Sequence, residues 1–270
     1  MITFPNAKIN IGLNIVEKRP DGFHNIETVF YPIGLSDILE INPSEIKLQF
    51  ENTGFLVENK NLESNLCYKA YEILKKDFEL KPFQIHLHKI IPFGAGIGGG
   101  SSDASFTLKM LNNLNNLNLT NKQLSNYAEK IGSDCSFFIL NKPAFAFEKG
   151  IVLREIQVNL KGFFLVLVHP KIHINTAQAY SKIAPTKPDI SLPDLIKMPV
   201  QEWENSIQND FENSAFKDYP ELKRIKEKLY SLGAVYSSMS GSGSAIYGIF
   251  NQEIDLSEQF GDYFIWTEYL

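Results

Sequence analysis

Cysteine is scarce in this sequence, which holds two, Cys67 and Cys135, among its 270 residues. Two thiols cannot build the disulfide framework on which small secreted domains rely, so we expect both to be reduced. The first eight residues, Met1–Lys8, resemble neither a signal peptide nor a transit peptide. The sequence therefore predicts a cytoplasmic protein.

Long apolar runs and an excess of basic residues are also missing. No apolar stretch approaches the roughly 20 residues of a membrane-spanning helix, so we expect no membrane partner. The formal net charge of −5 argues against a nucleic-acid-binding surface. A hydrophobic content of 44% in a chain of this length supports a sizeable core, and we expect two domains.

Glycine, by contrast, is concentrated, because five of the 17 glycines lie between Gly94 and Gly100. Such a run disfavours the interior of a helix or strand, since glycine loses the most backbone entropy on ordering. Residues 83–89 before it alternate apolar and polar as a strand does, and residues 101–117 after it have near-helical apolar spacing. A strand, a glycine loop and a helix start form a cradle whose natural ligand is phosphate.

The residues that follow the glycine run limit which known type of phosphate-binding loop it can be. No Gly-Lys-Ser/Thr closes the run, which excludes a Walker A loop. The spacing Gly94-x-Gly96-x-x-Gly99 spells the dinucleotide-binding fingerprint, but residues 104–128 lack the Asp or Glu that would bind the ribose. A tight glycine turn without a ligand remains the alternative.

An N-terminal strand carries a second set of polar residues. From Ala7 to Ile15 the pattern alternates, so that Lys8 and Asn10 share the polar face of a predicted strand. A solvated edge strand is the alternative interpretation for such a face. An Arg-Pro-Asp-Gly turn then precedes Phe23 and His24, which begin another predicted strand.

The remaining patterns predict further strands and helices. Residues 45–51 alternate as a strand, residues 203–216 are predicted to be helical, and residues 240–244 form a second glycine loop, either a plain hairpin turn or a nucleotide contact. The helix after the first glycine run has three candidate N-cap residues, Ser101, Ser102 and Asp103.

Two further polar positions allow more than one interpretation. His86 and His88 share the polar face of one strand, but no third ligand is placed near them, so we predict no metal site there. Asp134 follows a helix that Gly132 ends, a position where an Asp commonly serves as a cap or turn residue.

Taken in order, these motifs resemble the GHMP kinase superfamily of small-molecule kinases. The segments that carry the resemblance are Ala7–Asn10, Arg19–His24, Pro92–Ser102, Gly132–Asp134, His169–Pro170 with Thr176, and Asn209–Glu212. The resemblance implies a two-domain α/β (α+β) fold, its first domain like ribosomal protein S5 domain 2 and its second ferredoxin-like. It assigns ATP binding to residues 1–155 and substrate binding to residues 156–270.

The resemblance also implies the active site. Lys8 and Asp134 would be the catalytic pair, Asp134 deprotonating the substrate hydroxyl and Lys8 neutralising charge on the transferring phosphoryl group. The implied ATP-binding residues are Pro92, Phe93, Gly94, Ala95, Gly96, Ile97, Gly98, Gly99, Gly100, Ser101 and Ser102, with Asn65, Leu66 and Lys89 near the adenine and ribose. ATP would bring Mg²⁺ with it, and no protein metal site is implied.

Within the superfamily, the Asp-Gly-aromatic-His turn and the Asn-Asp-Phe-Glu run resemble one branch. It phosphorylates the 2-hydroxyl of a cytidine-diphosphate-linked methylerythritol in the non-mevalonate isoprenoid pathway. The implied substrate contacts are Asn10, Phe23, His24, Thr176 and Tyr180, with the cytosine near the aromatic rings. The family often has tyrosine where this chain has Phe23, so a phenol contact would be lost.

Three other functions remain as alternatives. A homoserine or mevalonate kinase of the same superfamily would lack the cytidine-binding turn. A nicotinamide oxidoreductase would use the literal glycine fingerprint, but it lacks the acidic partner. A non-enzymatic nucleotide-binding module would not need Lys8 and Asp134.

Overall fold

The computed structural model describes residues 1–55, 62–256 and 259–270. Its strands are β1 (Ile2–Thr3), β2 (Asn6–Lys18), β3 (His24–Ser36), β4 (Ile38–Pro43), β5 (Gln49–Gly54), β6 (Phe83–Lys89), β7 (Ala144–Phe147), β8 (Val152–Glu155), β9 (Phe164–His169), β10 (Tyr236–Met239), β11 (Ile246–Phe250) and β12 (Phe264–Tyr269). Its α-helices are α1 (Leu66–Lys75), α2 (Gly99–Leu114), α3 (Asn121–Glu129), α4 (Cys135–Leu140), α5 (Thr176–Ser181), α6 (Leu192–Leu195), α7 (Phe211–Asp218) and α8 (Pro220–Ser231). Short 3₁₀ turns lie at Leu62–Ser64 and Val200–Glu202.

The described strands form three four-stranded sheets, which confirms the mixed α/β prediction. Their orders are β1-β4-β6-β5, β2-β3-β7-β8 and β10-β11-β9-β12. In the first sheet β5 runs parallel to β6, whereas β4 pairs antiparallel with β6. In the third sheet β9 lies between β11 and β12 and pairs antiparallel with both. A central position explains why all of its residues are buried.

The chain forms two compact units that interleave along the sequence. The first comprises residues 1–7, 34–93 and 98–142, and the second comprises residues 8–33, 94–97 and 143–270. The predicted division after residue 155 treats each domain as one continuous segment, so these units differ from it. The difference arises because β3 pairs with β7, which draws early strands into the unit that holds the later part of the chain. The assignment of ATP and substrate to separate domains stays a prediction.

The core of the first unit lies between helices and the β4–β6 strands. Helix α1 buries Cys67, Ala70, Tyr71 and Leu74, at i, i+3, i+4 and i+7, on one face. These side chains join Leu39, Ile41, Ile85 and Leu87 of the sheet and Ala104, Leu108 and Leu111 of α2. Full burial of each large aliphatic side chain stabilises the unit by about 1.5–3 kcal/mol, so this face fixes α2 against the sheet.

The core of the second unit is built on β9 and β11. Their inward side chains Phe164, Val166, Val168, Ile246 and Phe250 contact Phe211 and Ala215 of α7 and Leu222, Ile225 and Leu229 of α8. Among the described residues, no helix is long and apolar enough to cross a membrane.

The cap prediction for α2 is wrong. The helix begins two residues earlier than expected, at Gly99, and its N-cap is Gly98 with φ +75° and no side-chain cap bond. A glycine accepts this left-handed conformation without the steric cost of a Cβ. Ser101, Ser102 and Asp103 therefore lie inside the first helical turns. Ser102 and Asp103 are buried there, and Asp103 accepts a hydrogen bond from Lys89.

Two other local expectations differ from the structure, and one strand was not predicted. The strand predicted at residues 45–51 is found at 49–54, and Ile46, which set its alternation, is 86% exposed. The helix predicted at residues 203–216 is α7 at 211–218, because the preceding residues run beside β2 through a bridge between Leu13 and Asn209. Strand β12 had no sequence prediction. Its residues are half-buried or exposed and depend on pairing with β9.

Candidate active site

Lys8 lies on the face of β2 that the alternation marked as polar, but this face is buried. The Lys8 side chain is 2% exposed, so the solvated-edge interpretation is wrong. Its ammonium donates to Asn10 Oδ1 and to the backbone oxygen of Gly96 at 3.1 Å, and it lies 4.9 Å from the centre of the Phe30 ring. Asn10 in turn donates to Thr28 Oγ1 at 2.9 Å. The network holds Lys8 in one orientation beside the glycine loop.

Three segments that lie far apart in the sequence meet at Gly96. Ser240 Oγ donates to Gly96 O at 3.0 Å, and Asn10 N donates to Ser240 Oγ at 3.1 Å. Gly96 has φ +77°, and a Cβ on it would lie 2.1 Å from Ser240 O. Only glycine fits this contact. The second glycine loop, residues 240–244, is a hairpin connection between β10 and β11, and it also supports the first loop.

The Asn-Asp-Phe-Glu run explains how that second loop is held. Asn209 Nδ2 donates to Met239 O at 2.7 Å and to Gly241 O at 2.8 Å. A Glu212 carboxylate oxygen accepts the Met239 backbone N–H at 2.8 Å. The run therefore holds the backbone of the second glycine loop in place, a role that its sequence did not indicate.

The remaining glycines start helix α2. Ser102 N donates to Gly98 O at 2.9 Å, which closes the first turn. A Cβ on Gly99 would lie 2.7 Å from Ile91 Cγ2, so packing alone already demands glycine there. The buried Ser102 hydroxyl finds no hydrogen-bond partner among the described residues. Such an orphaned donor, beside the free N–H groups of a helix start, fits a phosphate ligand.

A pocket of about 240 Å³ in the first unit gathers several of the predicted ATP-binding residues. Its lining is Ser64, Asn65, Leu66, Cys67, Leu87, Phe93, Gly100 and Asp103. Asn65 Oδ1 accepts the backbone N–H of Cys67 at 2.8 Å as the N-cap of α1, which leaves its amide group as a possible donor at the pocket. The apolar side chains of Leu66, Leu87 and Phe93 suit the faces of a flat base.

Lys89 does not present its ammonium to this pocket. It is 2% exposed and donates to Asp37 and, at 2.7 Å, to Asp103 Oδ2. Asp37 Oδ1 also accepts the backbone N–H groups of Ile90 and Ile91, at 2.6 and 2.8 Å. Burial opposes the charged form of Lys89, but the two carboxylates outweigh it and raise the pKa of the lysine. Its predicted nucleotide contact stays a prediction and would have to use the backbone.

Asp134 lies directly before α4, where it makes no side-chain cap bond. Its segment is joined to the start of α2, because Ser105 Oγ contacts both Ser101 O at 2.8 Å and Cys135 O at 2.6 Å. This contact holds the backbone at Cys135, directly after Asp134, beside the first turns of α2. The pairing of Asp134 with Lys8 stays a prediction.

The aromatic residues predicted to contact the cytosine are partly brought together. His24 and Tyr180 stack with ring centres 5.1 Å apart, and Tyr180 also contacts Phe211 edge-on at 4.9 Å. Phe23 is 61% exposed. A base between two rings requires about 7 Å, twice a van der Waals contact, so it cannot lie between His24 and Tyr180. An outer face of the stack remains for it.

Lys149 is a residue of this region that no sequence motif indicated. The Lys149 ammonium lies 4.4 Å from the centre of the Phe23 ring and 2.8 Å from Asp21. Lys149 beside Asp21 holds the pKa of that carboxyl at about 2. The turn between β7 and β8 is anchored there by the bond from Ile26 N to Glu148 O at 2.6 Å. Only the pairing of β3 with β7 reveals this proximity.

Thr176 lies at a second pocket, of about 310 Å³, in the second unit. Its Oγ1 is 3.0 Å from Ser242 Oγ, and Gly94 and Gly96 also line this pocket. The missed residue here is His173, whose ring would lie 2.6 Å from a Cβ on Gly94. A histidine three positions before Thr176 was the available signal, but its contact with Gly94 depends on the fold.

The two strand histidines are held by a shared threonine. Thr53 Oγ1 lies 2.9 Å from His86 Nε2 and 2.8 Å from His88 Nδ1. Within the part of the chain that the structure describes, no group of three His, Cys, Asp or Glu could hold a metal ion.

Comparison with known proteins adds an independent set of observations. Two family models match: GHMP kinases N terminal domain over residues 65–142 and GHMP kinases C terminal over residues 191–261. A 4-diphosphocytidyl-2-C-methyl-D-erythritol kinase from Bacteroides fragilis is 52% identical over 256 residues, 94% of this chain and 93% of that protein. One of the same name from Bacteroides thetaiotaomicron is 50% identical over 261 residues, 96% and 95% of the two chains. A crystal structure of a 4-(cytidine 5'-diphospho)-2C-methyl-D-erythritol kinase matches with a TM-score of 0.78 at 31% identity, covering 92% of this chain and 90% of that one.

Proposed function

Because the chain belongs to the GHMP kinases, and within them to the family of its curated relatives, we propose that it phosphorylates the 2-hydroxyl group of 4-diphosphocytidyl-2-C-methyl-D-erythritol with ATP. The chain is thus an ATP-dependent small-molecule kinase of the isoprenoid pathway. The observation that carries the choice of substrate is the 52% identity over 94% of the chain.

The chemistry of phosphoryl transfer asks for positioning and charge stabilisation more than for covalent catalysis. In our proposal the Asp134 carboxylate orients the substrate hydroxyl and accepts its proton as the oxygen attacks the γ-phosphorus. The bond from the γ-phosphorus to the β–γ bridging oxygen breaks, and ADP leaves. Lys8 neutralises the charge that develops on the transferring group. The hydrogen bonds from Lys8 to Asn10 and Gly96 support this role, because they fix the ammonium beside the glycine loop.

The proposed ATP site uses the N–H groups of the glycine loop for the phosphates. The orphaned Ser102 hydroxyl and the free helix start support it, and the pocket of Asn65, Leu66 and Phe93 offers space for adenine. Mg²⁺ would arrive bound to the ATP phosphates, the usual way in which kinases acquire it, and would neutralise part of their charge.

The proposed substrate site uses an outer face of the His24–Tyr180 stack for the cytosine. Phe23 offers a second aromatic surface without a phenol hydroxyl, and Lys149 beside it adds a positive charge that suits a diphosphate. Asn10 and Thr176 are the further substrate contacts in this proposal. Cys67 and Cys135 are buried unpaired thiols, which agrees with the cytoplasmic location that we propose.

The test is ATP consumption by the purified protein against a panel of alcohol acceptors. The panel contains the proposed substrate, methylerythritol 4-phosphate without the cytidine group, mevalonate and homoserine. We expect kcat/KM for the proposed substrate to exceed the others by at least a hundredfold, and ³¹P NMR to show a new phosphate monoester on the 2-oxygen. Preference for mevalonate or homoserine would replace the proposal by that other kinase activity. Absence of ATP turnover with every acceptor would favour a binding module.

A further inference from the structure

One buried cluster joins both ends of the glycine loop. Asp37, in the link between β3 and β4, accepts hydrogen bonds from Ile90 N and Ile91 N, directly before the loop begins at Pro92. Lys89, at the end of β6, donates to Asp37 and to Asp103. Asp103 is the fifth residue of α2, the helix with which the loop ends. The strand before the loop and the helix after it are therefore fixed to one another through three side chains.

The charges of the cluster do not balance if all three groups are ionised. Lys89 supplies one positive charge against two carboxylates, and each of the three residues is at most 2% exposed. A net buried charge is costly, so one carboxyl is expected to hold a proton. The hydrogen bonds of the two carboxyl groups differ. Asp37 accepts from the backbone N–H groups of Ile90 and Ile91 and from Lys89, so both of its oxygens have donors.

Asp103 receives far less support. Lys89 is its one donor in the described chain, and the other carboxyl oxygen, Oδ1, is buried without a hydrogen-bond partner among the described residues. Burial raises the pKa of Asp103 to about 8 against the opposing effect of Lys89, and the negative charge of Asp37 adds to the rise. Asp103 also lines the pocket of Asn65, Leu66 and Phe93. Asp103 thus lies at the wall of the proposed nucleotide site.

We propose that the Asp37–Lys89–Asp103 cluster positions the phosphate loop and that Asp103 has to be protonated for the loop to bind ATP tightly. The inference rests on the proposed function to the extent that ATP is the ligand of the loop. Loss of the proton places a second negative charge beneath the first turns of α2, about 6 Å along the helix axis from its start. That negative charge reduces the positive potential at the helix N-terminus, where the phosphates would bind. It also weakens the link between the two ends of the loop.

Several titratable groups surround Asp103, and the range that matters for the inference is pH 7 to 9. Lys89 and Asp37 are the charged groups that act on it. The Cys67 thiol of α1 lies against the same cluster, and burial raises the pKa of that thiol. The pKa of Lys89 is also raised, so both stay protonated over this range. On α4, burial raises the pKa of Cys135 to about 12.

The experiment measures binding of a non-hydrolysable ATP analogue by calorimetry at several pH values, with no alcohol acceptor present. For the unsubstituted protein we expect Kd to rise roughly three- to tenfold between pH 7 and 9, an effect of the size that one partly screened charge produces. Asp103→Asn keeps the shape of the side chain and stays neutral. Its Kd at pH 7 should therefore lie within threefold of the unsubstituted value, and it should not rise between pH 7 and 9. Asp103→Ala should raise Kd at least tenfold at pH 7, with kcat at saturating ATP and the KM of the acceptor changed less than threefold.

Thr107→Val is the matched control. Thr107 is buried one turn further along α2, where its hydroxyl donates to Asp103 O at 2.8 Å, so the variant loses a buried hydrogen bond but leaves the cluster charges intact. It should be destabilised and should keep the pH dependence of the unsubstituted protein. If Kd of the ATP analogue depended on pH in the same way in the unsubstituted protein and in Asp103→Asn, the inference would be overturned, even if Asp103→Ala fails to fold.

Failure of the function proposal gives a different result. A wrong acceptor leaves every calorimetric binding curve unchanged, because no acceptor is present. A protein that binds no ATP analogue reveals itself before any substitution is made.

Discussion

Two buried lysines of this chain, Lys8 and Lys89, have the same exposure and different surroundings. Both side chains are 2% exposed, and both belong to strands that alternate in the sequence. Lys8 donates to an amide oxygen and to a backbone oxygen of the glycine loop, and it faces the Phe30 ring. Lys89 donates to two carboxylates that are themselves 0–1% exposed. The first lysine contacts the loop, and the second joins the elements on either side of it.

The difference teaches that burial of a lysine does not by itself indicate catalysis. The carboxylates around Lys89 raise its pKa and engage its ammonium in a structural link. An amide oxygen and a backbone carbonyl oxygen accept hydrogen bonds from Lys8 and orient its ammonium toward the loop. We therefore expect substitutions of Lys8 to act mainly on turnover and substitutions of Lys89 to act mainly on stability.

The largest expected effect is on catalysis at the Lys8 side of this comparison. Asp134→Asn keeps the shape of the proposed base and removes its basicity, so kcat should fall roughly 10²–10⁴-fold with much smaller changes in substrate binding. Lys8→Ala should be severely impaired as well. The double variant should be little worse than the worse single one, because the two groups would act as a unit. Steady-state kinetics of folded protein, verified by circular dichroism, provide the measurement.

A structural role for this pair would give the opposite pattern, with a lowered Tm and near-normal turnover of the folded fraction. Near-normal kcat in folded Asp134→Asn would exclude the base assignment, and the role of Lys8 would have to be rebuilt without it.

The next largest expected effect is the loss of stability when Lys89 is substituted. Lys89→Met leaves Asp37 and Asp103 buried without their cation, and loss of one partner of a buried ion pair typically costs about 3–5 kcal/mol. Denaturant unfolding should show this loss, and Lys8→Met is the matched variant because it removes an equally buried ammonium. If Lys89→Met kept its stability and lost kcat while Lys8→Met did the reverse, the roles assigned to the two lysines would be exchanged.

A buried histidine in the same unit as Lys8 should make the stability of the protein depend on pH. His169, at the end of β9, is 5% exposed, and neither ring nitrogen has a partner among the described residues. Burial and then Lys171 lower the pKa of His169 to about 4. The folded pKa is therefore below the unfolded value near 6.5, so the unfolded state binds more protons between these values. Stability present above pH 6.5 should be lost as the pH falls toward 4, by on the order of 2–3 kcal/mol.

Urea unfolding at pH 7.5 and 5 measures this effect in the unsubstituted protein and in His169→Phe. The variant removes the titrating group, so the part of the acid loss that His169 causes should disappear. Identical pH slopes in the two proteins would show that the acid sensitivity has another source.

The smallest expected effect concerns the aromatic stack of the same unit. Tyr180→Ala removes a ring that stacks on His24, and loss of base stacking costs about 1–3 kcal/mol. The KM of the cytidine substrate should rise accordingly, while the KM of ATP should change little. Phe211→Leu is the control, since it alters the edge contact on Tyr180 without removing the stack. Equal increases in both KM values for Tyr180→Ala would indicate that the ring supports the fold.

Local sequence patterns predicted those elements whose cause is local. The alternation of residues 83–89 predicted β6, and the alternation of residues 7–15 predicted β2. Each depends on the spacing of side chains along one strand. Strand β12 escaped prediction because its position is set by its partner β9 and not by its own pattern.

By itself, the sequence determined the glycine loop between a strand and a helix, because residue spacing specifies these elements along the chain. Its motifs carried the resemblance to the GHMP kinases, and the resemblance implied the mixed α/β class. The tertiary structure alone decided what lies around each residue. It buried the polar face of β2, brought Ser240 to Gly96 and surrounded Lys89 with Asp37 and Asp103, residues 52 and 14 positions away. Such contacts depend on long-range packing, which no local pattern encodes, and charge and protonation inside the molecule follow from that packing.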